Sequence, residues 1–288
     1  MKYDVIIPCA EKDFSFLPKV ILYIRKNLID ADIVYILCNE KCVRRFRKWG
    51  KNYGQVVALN ENNIVEGLSF NAVSKILQEK TGSHSVLTGW YLQQFLKYAF
   101  ARTKYAKDYY LSWDADTLPI SPINFFSAEG NPVFTKKFEY HKPYFETINS
   151  VLEIDKTADF SFIAEHMMFK TSIVKDLLDE IEKKHIKGNS WYEKILYVPT
   201  KDPKNVFFSE FETYGTYCYV KYPNLYRTQQ LNTFRCGGMI KGRNISDKQL
   251  EMLAIDLHTI SFEYGHFPFP YSLQTYWMRF KRKIRLYF

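Results

Sequence analysis

Two aspartates one residue apart are the residues whose types and spacing could first do chemistry in this chain. They are Asp114 and Asp116, in Ser112-Trp113-Asp114-Ala115-Asp116-Thr117. Side chains two apart on an extended segment share a face. At a strand end, one carboxylate can therefore hold a divalent cation directly and the other directly or through water. Oxygen-only ligation suits Mg²⁺ or Mn²⁺, which keep positions open for substrate phosphates. Such a cation neutralises charge on a departing diphosphate. Aspartates are also ordinary turn formers at a strand exit, so the surrounding elements must decide between the two readings.

Those elements follow a parallel-sheet pattern. Tyr3 to Ile7 reads as a strand stopped by Pro8, and a polar stretch leads to a helix around Pro18–Leu28 with proline in its first turn. A second strand follows at Asp32–Cys38. A strand–helix–strand opening implies a parallel sheet with crossover helices, and ligands of such sheets sit beyond the carboxyl ends of the strands. Asp13 and Asn39 lie in the loops there, as nucleoside contacts or as turn residues. Leu87 to Arg102 reads as a helix with Leu87, Tyr91, Phe95 and Tyr98 on one face and Trp90, Gln93, Gln94 and Lys97 on another. Asp108–Trp113 is a short aromatic strand delivering the aspartate pair, and Pro119 and Pro122 forbid its continuation. Thr171–Ile186 reads as a surface helix capped by Thr171 or Ser172. Ile173, Leu177, Leu178 and Ile181 form its buried stripe, and Asp179–Lys183 and Glu180–Lys184 pair outside. A last strand is expected around Ile255–Phe262. There is no internal repeat and no Gly/Ser-rich linker. The expectation is one α/β domain over residues 1–270 and a C-terminal extension over 271–288.

Composition narrows the class. The chain has 288 residues, 47% of them hydrophobic and 25% charged, which excludes disorder and low complexity. Aromatic residues make up 17%, a surplus that supplies rigid faces for ring-shaped ligands as well as core. The net charge is +9, but Arg279, Lys281, Arg282, Lys283 and Arg285 carry more than half of it within the last ten residues. The remainder needs no nucleic acid as partner. The segment Tyr276–Phe288 interleaves those cations with aromatic and aliphatic groups, a mix suited to an anionic membrane surface; a basic terminus or a partner contact is the plainer alternative. Cys9, Cys38, Cys42, Cys218 and Cys236 are odd in number, and no pair has zinc-site spacing, so reduced thiols in a cytoplasmic protein are expected. No stretch reaches the ~20 apolar residues of a membrane span.

The string Ser112–Thr117, together with Val5-Ile6-Ile7-Pro8-Cys9, resembles the GT-A class of nucleotide-sugar glycosyltransferases. The strings Trp90–Lys97, Ser161–Phe169 and Ser209–Gly215 are similar to a bacterial, uncharacterised branch associated with capsule and lipopolysaccharide synthesis. The resemblance covers roughly residues 1–265. It implies a GT-A-like fold and a metal-dependent sugar transfer. The donor would be a nucleotide diphosphate sugar, UDP ahead of GDP, and the acceptor a surface polysaccharide or lipid-linked glycan. The same resemblance makes Asp114 and Asp116 the donor-side motif for Mn²⁺ or Mg²⁺, and with a lipid-linked acceptor the Tyr276–Phe288 tail would place the protein at the inner face of the plasma membrane.

Other residues carry weaker signals. Ser209 and Glu212 fit a capping box, which would leave Glu210 in the first turn free to point into a cleft. Inverting enzymes of the resembled class place a base at a helix start beyond the metal motif. The resemblance therefore makes Glu210 the catalytic base, with Glu212 the second candidate. Lys97 can contact donor phosphate as a point charge, and Gln93 can hydrogen-bond ribose or sugar. A solvated helix face is the alternative, weakened by Trp90 beside them. Enzymes of the resembled class often complete the metal site with a late histidine, for which His266 stands ahead of His258. Glu165 and His166 either face the acceptor or belong to the core, and Gly237-Gly238 marks a turn. A nucleotidyltransferase would want a glycine-rich basic loop after the first strand, where Ala10-Glu11-Lys12-Asp13-Phe14 stands instead. An RNA-binding module would spread its cations among the aromatics along the whole chain.

Overall fold

A computed structural model describes residues 1–83 and 85–263. His266 and the segment 271–288 lie outside the described residues. In chain order the larger elements are β1 (Tyr3–Pro8), α1 (Leu17–Asn27), β2 (Ala31–Cys38), α2 (Glu40–Trp49), β3 (Val56–Asn60), α3 (Phe70–Thr81), α4 (Thr88–Ala99), β4 (Tyr109–Trp113), β5 (Thr117–Pro119) and β6 (Val133–Thr135). They continue with α5 (Lys142–Leu152), β7 (His166–Lys170), α6 (Thr171–Glu182), α7 (Trp191–Tyr197), α8 (Glu210–Lys221), β8 (Arg227–Gln229), β9 (Thr233–Phe234), α9 (Gly238–Lys241), α10 (Asp247–Leu253) and β10 (Thr259–Ser261).

The main sheet has the order β3-β2-β1-β4-β7, parallel except for the antiparallel edge strand β7. All six residues of β1 are buried, as a central strand covered on both faces requires. Its side chains alternate between two cores: Ile6 packs with α3, α4, α6, α7 and α8, while Val5 and Ile7 pack with α1, α2 and the smaller sheet β5-β10-β9. The order reverses between β1 and β4. In such sheets the crevice beyond the carboxyl ends at that reversal is where ligands sit. The chain leaves β4 there, directly into Asp114. This is the mixed α/β architecture with flanking helices, in a single domain, that the sequence leads one to expect.

Several local expectations change. The helix from Leu87 tightens into a 3₁₀ turn at Phe100–Arg102. At α6 neither Thr171 nor Ser172 caps; the N-cap position is Lys170, and the Thr171 hydroxyl donates to the Lys107 carbonyl instead. The expected pairs along α6 give way to tertiary ones. Asp179 pairs with Arg102, Lys184 with Glu153, and Glu180 with Tyr217 and Lys221. Long-range partners won because α6 packs against the 3₁₀ turn and α8 rather than facing only solvent. The strand expected from Ile255 shrinks to three residues, because α10 and the turn after it use Asp247–Leu257. All five cysteines are free. Among the described residues, no helix is long and apolar enough to cross a membrane.

Gly215 shows how closely α8 packs. A Cβ there would lie 2.1 Å from Cγ of the buried Phe162 ring. Alanine gains about 1 kcal/mol of helix propensity, but overpacking a filled core costs about 1–3 kcal/mol, and a clash with the ring root leaves little room to adapt. Gly215→Ala is expected to lower the thermal midpoint by a few degrees. An unchanged or raised midpoint by calorimetry would show that the α8–Phe162 contact is loose.

Candidate active site

The site is built from the start of α8, one face of α4 and the exit of β4. Helix α4 turns its Tyr91, Phe95 and Tyr98 face into the core, which aims Gln94 and Lys97 at α8. The Gln94 carbonyl accepts from the Glu210 N–H (3.1 Å), and the Tyr98 hydroxyl donates to the Glu210 carbonyl (2.5 Å). Lys97 Nζ donates to Glu210 Oε1 at 2.7 Å and to Asp114 Oδ1 at 3.0 Å, and it lies over the Phe211 ring at 4.1 Å. Its side chain is 3% exposed. Burial works against its charge, but Asp114 and Glu210 outweigh burial and hold the ammonium above its ordinary range. Burial lifts the Glu210 carboxyl above its usual range, and Lys97 opposes that without cancelling it. A carboxylate so lifted is a better proton acceptor.

Trp90, Gln93, Gln94, Lys97, Asp114 and Glu210 line one cleft of about 490 Å³. Its other wall, which the sequence reading missed, brings Glu139, Tyr140, His141 and Tyr144 from the start of α5, together with Arg235 from the end of β9. The local clue was the aromatic and charged run Phe138–Phe145. Arg235 offered no local clue, since its partners Glu139, Glu165 and Glu263 are distant in sequence.

The turn after β4 is fixed by Trp113 Nε1 donating to the Thr117 carbonyl (2.8 Å) and by the Thr117 N–H donating to the Asp114 carbonyl (3.2 Å). Asp116 is partly buried beside it. Burial, Asp114 and Asp13 together push its carboxyl up to about 7, against the pull of Arg243. Asp13 is itself buried and paired to Arg243. Asp13 and Asp114 are thus paired to Arg243 and Lys97 with Asp116 beside them, and the donor set is oxygen only, which fits a hard divalent cation. Among the described residues no group of three or more His, Cys, Asp or Glu side chains is arranged to hold a metal.

Other candidates fall elsewhere. Glu212 is fully buried and points away from the cleft: its carboxylate takes Lys156 (2.7 Å), Ser161 Oγ (2.7 Å) and the Phe162 N–H (3.1 Å). The capping box is therefore half made. Ser209 Oγ accepts from the Glu212 N–H (3.3 Å), while the Glu212 carboxylate is occupied elsewhere. Asn39 caps α2 by accepting from the Cys42 N–H at 2.9 Å and is not among the cleft residues. His258 exchanges bonds with Asn232 and lies opposite Ile120, whereas the Asp116 carbonyl is met by Phe262. Four strand residues put His258 roughly 13 Å from that end, so the structure does not bring it to the aspartates. His166 stacks on Trp113 (5.0 Å, 12°) and bonds Thr135 at 2.8 Å; burial depresses its ring to about 3, so it is a neutral core histidine. Gly237 begins the short α9, where a Cβ would meet the Ser261 carbonyl at 2.7 Å.

The chain belongs to DUF6492, a family of unknown function whose sequence model matches residues 19–247. That span includes Lys97, Asp114, Asp116, Glu210 and Arg235. No curated protein matches the chain in sequence. Among solved structures it is similar to mouse xyloside xylosyltransferase 1 at 9% identity and a TM-score of 0.49, over 94% of this chain and 100% of that one. It is similar to the galactosyltransferase LgtC at 8% and 0.45, over 90% and 86%. The glycosyltransferase GlyE of Streptococcus pneumoniae TIGR4 follows at 10% and 0.44, where 93% of this chain spans 56% of that one.

Removing one partner of a buried charge group leaves another charge uncompensated, at a cost of about 3–5 kcal/mol. Lys97→Met is expected to lose stability on that scale. Lys97→Met combined with Glu210→Gln should recover part of it, read from urea midpoints as a double-mutant cycle. Strict additivity would mean that Lys97 and Glu210 do not depend on each other.

Proposed function

We propose that this protein is a GT-A-like glycosyltransferase that moves a sugar from a nucleotide diphosphate donor to a glycan or lipid-linked acceptor with inversion. The observation that carries the reading is the convergence of Asp114 and Glu210 on Lys97, in a cleft beyond the carboxyl end of β4 at the reversal of strand order. It brings together three of the five segments on which the resemblance rests, Trp90–Lys97, Ser112–Thr117 and Ser209–Gly215.

Asp114 and Asp116 would hold Mn²⁺ or Mg²⁺, which supplies charge neutralisation for the departing diphosphate. Glu210, lifted by burial, would take the proton of the acceptor hydroxyl as the new bond forms. Lys97 keeps both carboxylates at fixed positions before substrate arrives, so little reorganisation is needed during transfer. Gln93 and Trp90 face the same cleft and would contact the donor. His266 remains a candidate for the cation site. UDP-sugars stand ahead of GDP-sugars, and a capsule or lipopolysaccharide glycan is the acceptor class.

Thermal unfolding with UDP, GDP and CMP, each with and without Mn²⁺, tests the donor and cation together. A ligand at 100 times its dissociation constant stabilises by about 2.7 kcal/mol, several degrees for a chain of this size. One diphosphate is expected to shift the midpoint only with Mn²⁺, and Asp116→Ala should abolish the shift. No response to any nucleotide would remove the donor from the reading.

The segment Tyr276–Phe288 would hold the enzyme at the anionic inner face of the membrane, where a lipid-linked acceptor is concentrated. Deleting it is expected to move the protein from the membrane to the soluble fraction on cell fractionation. Unchanged membrane recovery would sink that role.

A further inference from the structure

The wall of the cleft opposite α4 is aromatic and polar rather than simply charged. Tyr140 lines the cleft yet remains 70% exposed. One face of its ring rests on Phe145, with centroids 4.9 Å apart and planes 30° apart, which leaves the other face open. Phe145 is backed in turn by Lys156 Nζ at 5.0 Å, and that ammonium is tied to the buried Glu212. The open ring is therefore a braced plane, and tyrosine supplies such area with little side-chain entropy to lose. Tyr144 and His141, in edge contact at 4.4 Å, extend the wall toward Glu210.

Arg235 stands beside this plane with three carboxylates around it. Glu139 is in direct contact, Glu165 lies 3.3 Å from its Nε and Glu263 3.5 Å from its Nη2. Glu165 is buried, and neither of its oxygens has a hydrogen-bond partner; Lys137 Nζ lies 3.8 Å away. Carboxylates outnumber cations around the guanidinium, so an arriving anion would meet like charge and find Arg235 engaged. A neutral hydroxylated ring has the opposite fit. Its C–H face packs on the electron-rich tyrosine ring, and its hydroxyls donate to Glu139.

We propose that this end of the cleft is a subsite for an uncharged pyranose, the accepting sugar of the reaction. The assignment rests on the glycosyltransferase reading for its role, and on the Tyr140, Glu139 and Arg235 cluster for its chemistry. It makes Tyr140 the stacking plane, and the excess of Glu139, Glu165 and Glu263 over Arg235 and Lys137 the feature that selects against acidic sugars.

The test uses saturation-transfer NMR on the full chain. The neutral probes are the methyl glycosides of glucose, galactose, mannose and N-acetylglucosamine, and methyl glucuronide is the anionic counterpart. At least one neutral glycoside should bind, and the glucuronide should bind roughly tenfold more weakly than the glucoside of the same ring, as repulsion of about 1.4 kcal/mol would give. Tyr140→Ala should weaken neutral binding roughly tenfold, with Tyr140→Phe retaining it. Glu139→Gln should narrow the gap between glucoside and glucuronide. Equal binding of the glucuronide, no binding of any neutral glycoside, or indifference to Tyr140→Ala would each overturn the assignment. Nucleotide-induced thermal shifts separate the two readings. Tyr140-dependent sugar binding without any nucleotide response leaves the subsite standing and removes the donor, while a nucleotide response without sugar binding does the reverse.

Discussion

An ammonium buried to 3% exposure keeps its charge only where carboxylates repay the lost hydration, and Lys97 has two, at 2.7 and 3.0 Å. Much of the site depends on that condition. Asp114 arrives on β4 and Glu210 on α8, elements nearly a hundred residues apart in sequence, and Lys97 fixes the separation between their carboxylates. The α4 helix holds α8 by two further bonds: the Glu210 N–H donates to Gln94 Oε1, and the Tyr98 hydroxyl donates to the Glu210 carbonyl. The start of α8 is thus located by its backbone as well as by its charge. An apolar isostere at position 97 would pack as well but would leave Glu210 buried beside Asp114 with nothing between them.

A second buried carboxylate does the same work on the other side of α8. Residues two apart on a helix point roughly 200° apart, so if Glu210 faces the cleft, Glu212 must face away from it. It meets Lys156, Ser161 and the Phe162 N–H there, and through Lys156 it braces Phe145 and then Tyr140. The short string Ser209-Glu210-Phe211-Glu212 therefore positions both walls of the cleft from one helical turn. Gly215, one turn further on, lets that helix approach Phe162 closely enough for the arrangement to close.

Three of the four parallel strands were legible, β1, β2 and β4, because each is an apolar or aromatic run, whereas β3 was not read; the α4 faces were legible because a 3.6-residue period separates Tyr91, Phe95 and Tyr98 from Gln93, Gln94 and Lys97. Asp114 was legible because a turn follows an aromatic strand at once. What the sequence did not reveal depends on distance. The capping-box reading of Glu212 failed because a local pattern cannot show that Lys156 and Ser161 compete for the same carboxylate. The α6 pairs failed for the same reason, with Arg102 and Glu153 as the competitors. Arg235 carries no periodic or motif signal, since Glu139, Glu165 and Glu263 meet it only in the folded chain.

The two ends of the cleft balance charge in different ways, and that difference bears on how a transferase would use them. At the turn after β4, Asp114 is paired to Lys97 and Asp13 to Arg243, and the Asp116 carboxyl beside them is pushed up to about 7, first by burial and then by its acidic neighbours. At the Tyr140 end the only cleft-lining cation, among the described residues, is a guanidinium already engaged by three carboxylates. In the proposed reading the Asp114–Asp116 pair, not the Tyr140 end, would hold the cation. Charge alone would then sort two chemically similar sugars, the one carried on a diphosphate to the aspartates and the neutral one to the tyrosine. Glu210 lines the same cleft as Asp114 and Tyr140, where the proposed transfer would pass the acceptor's hydroxyl proton to it as the new bond forms.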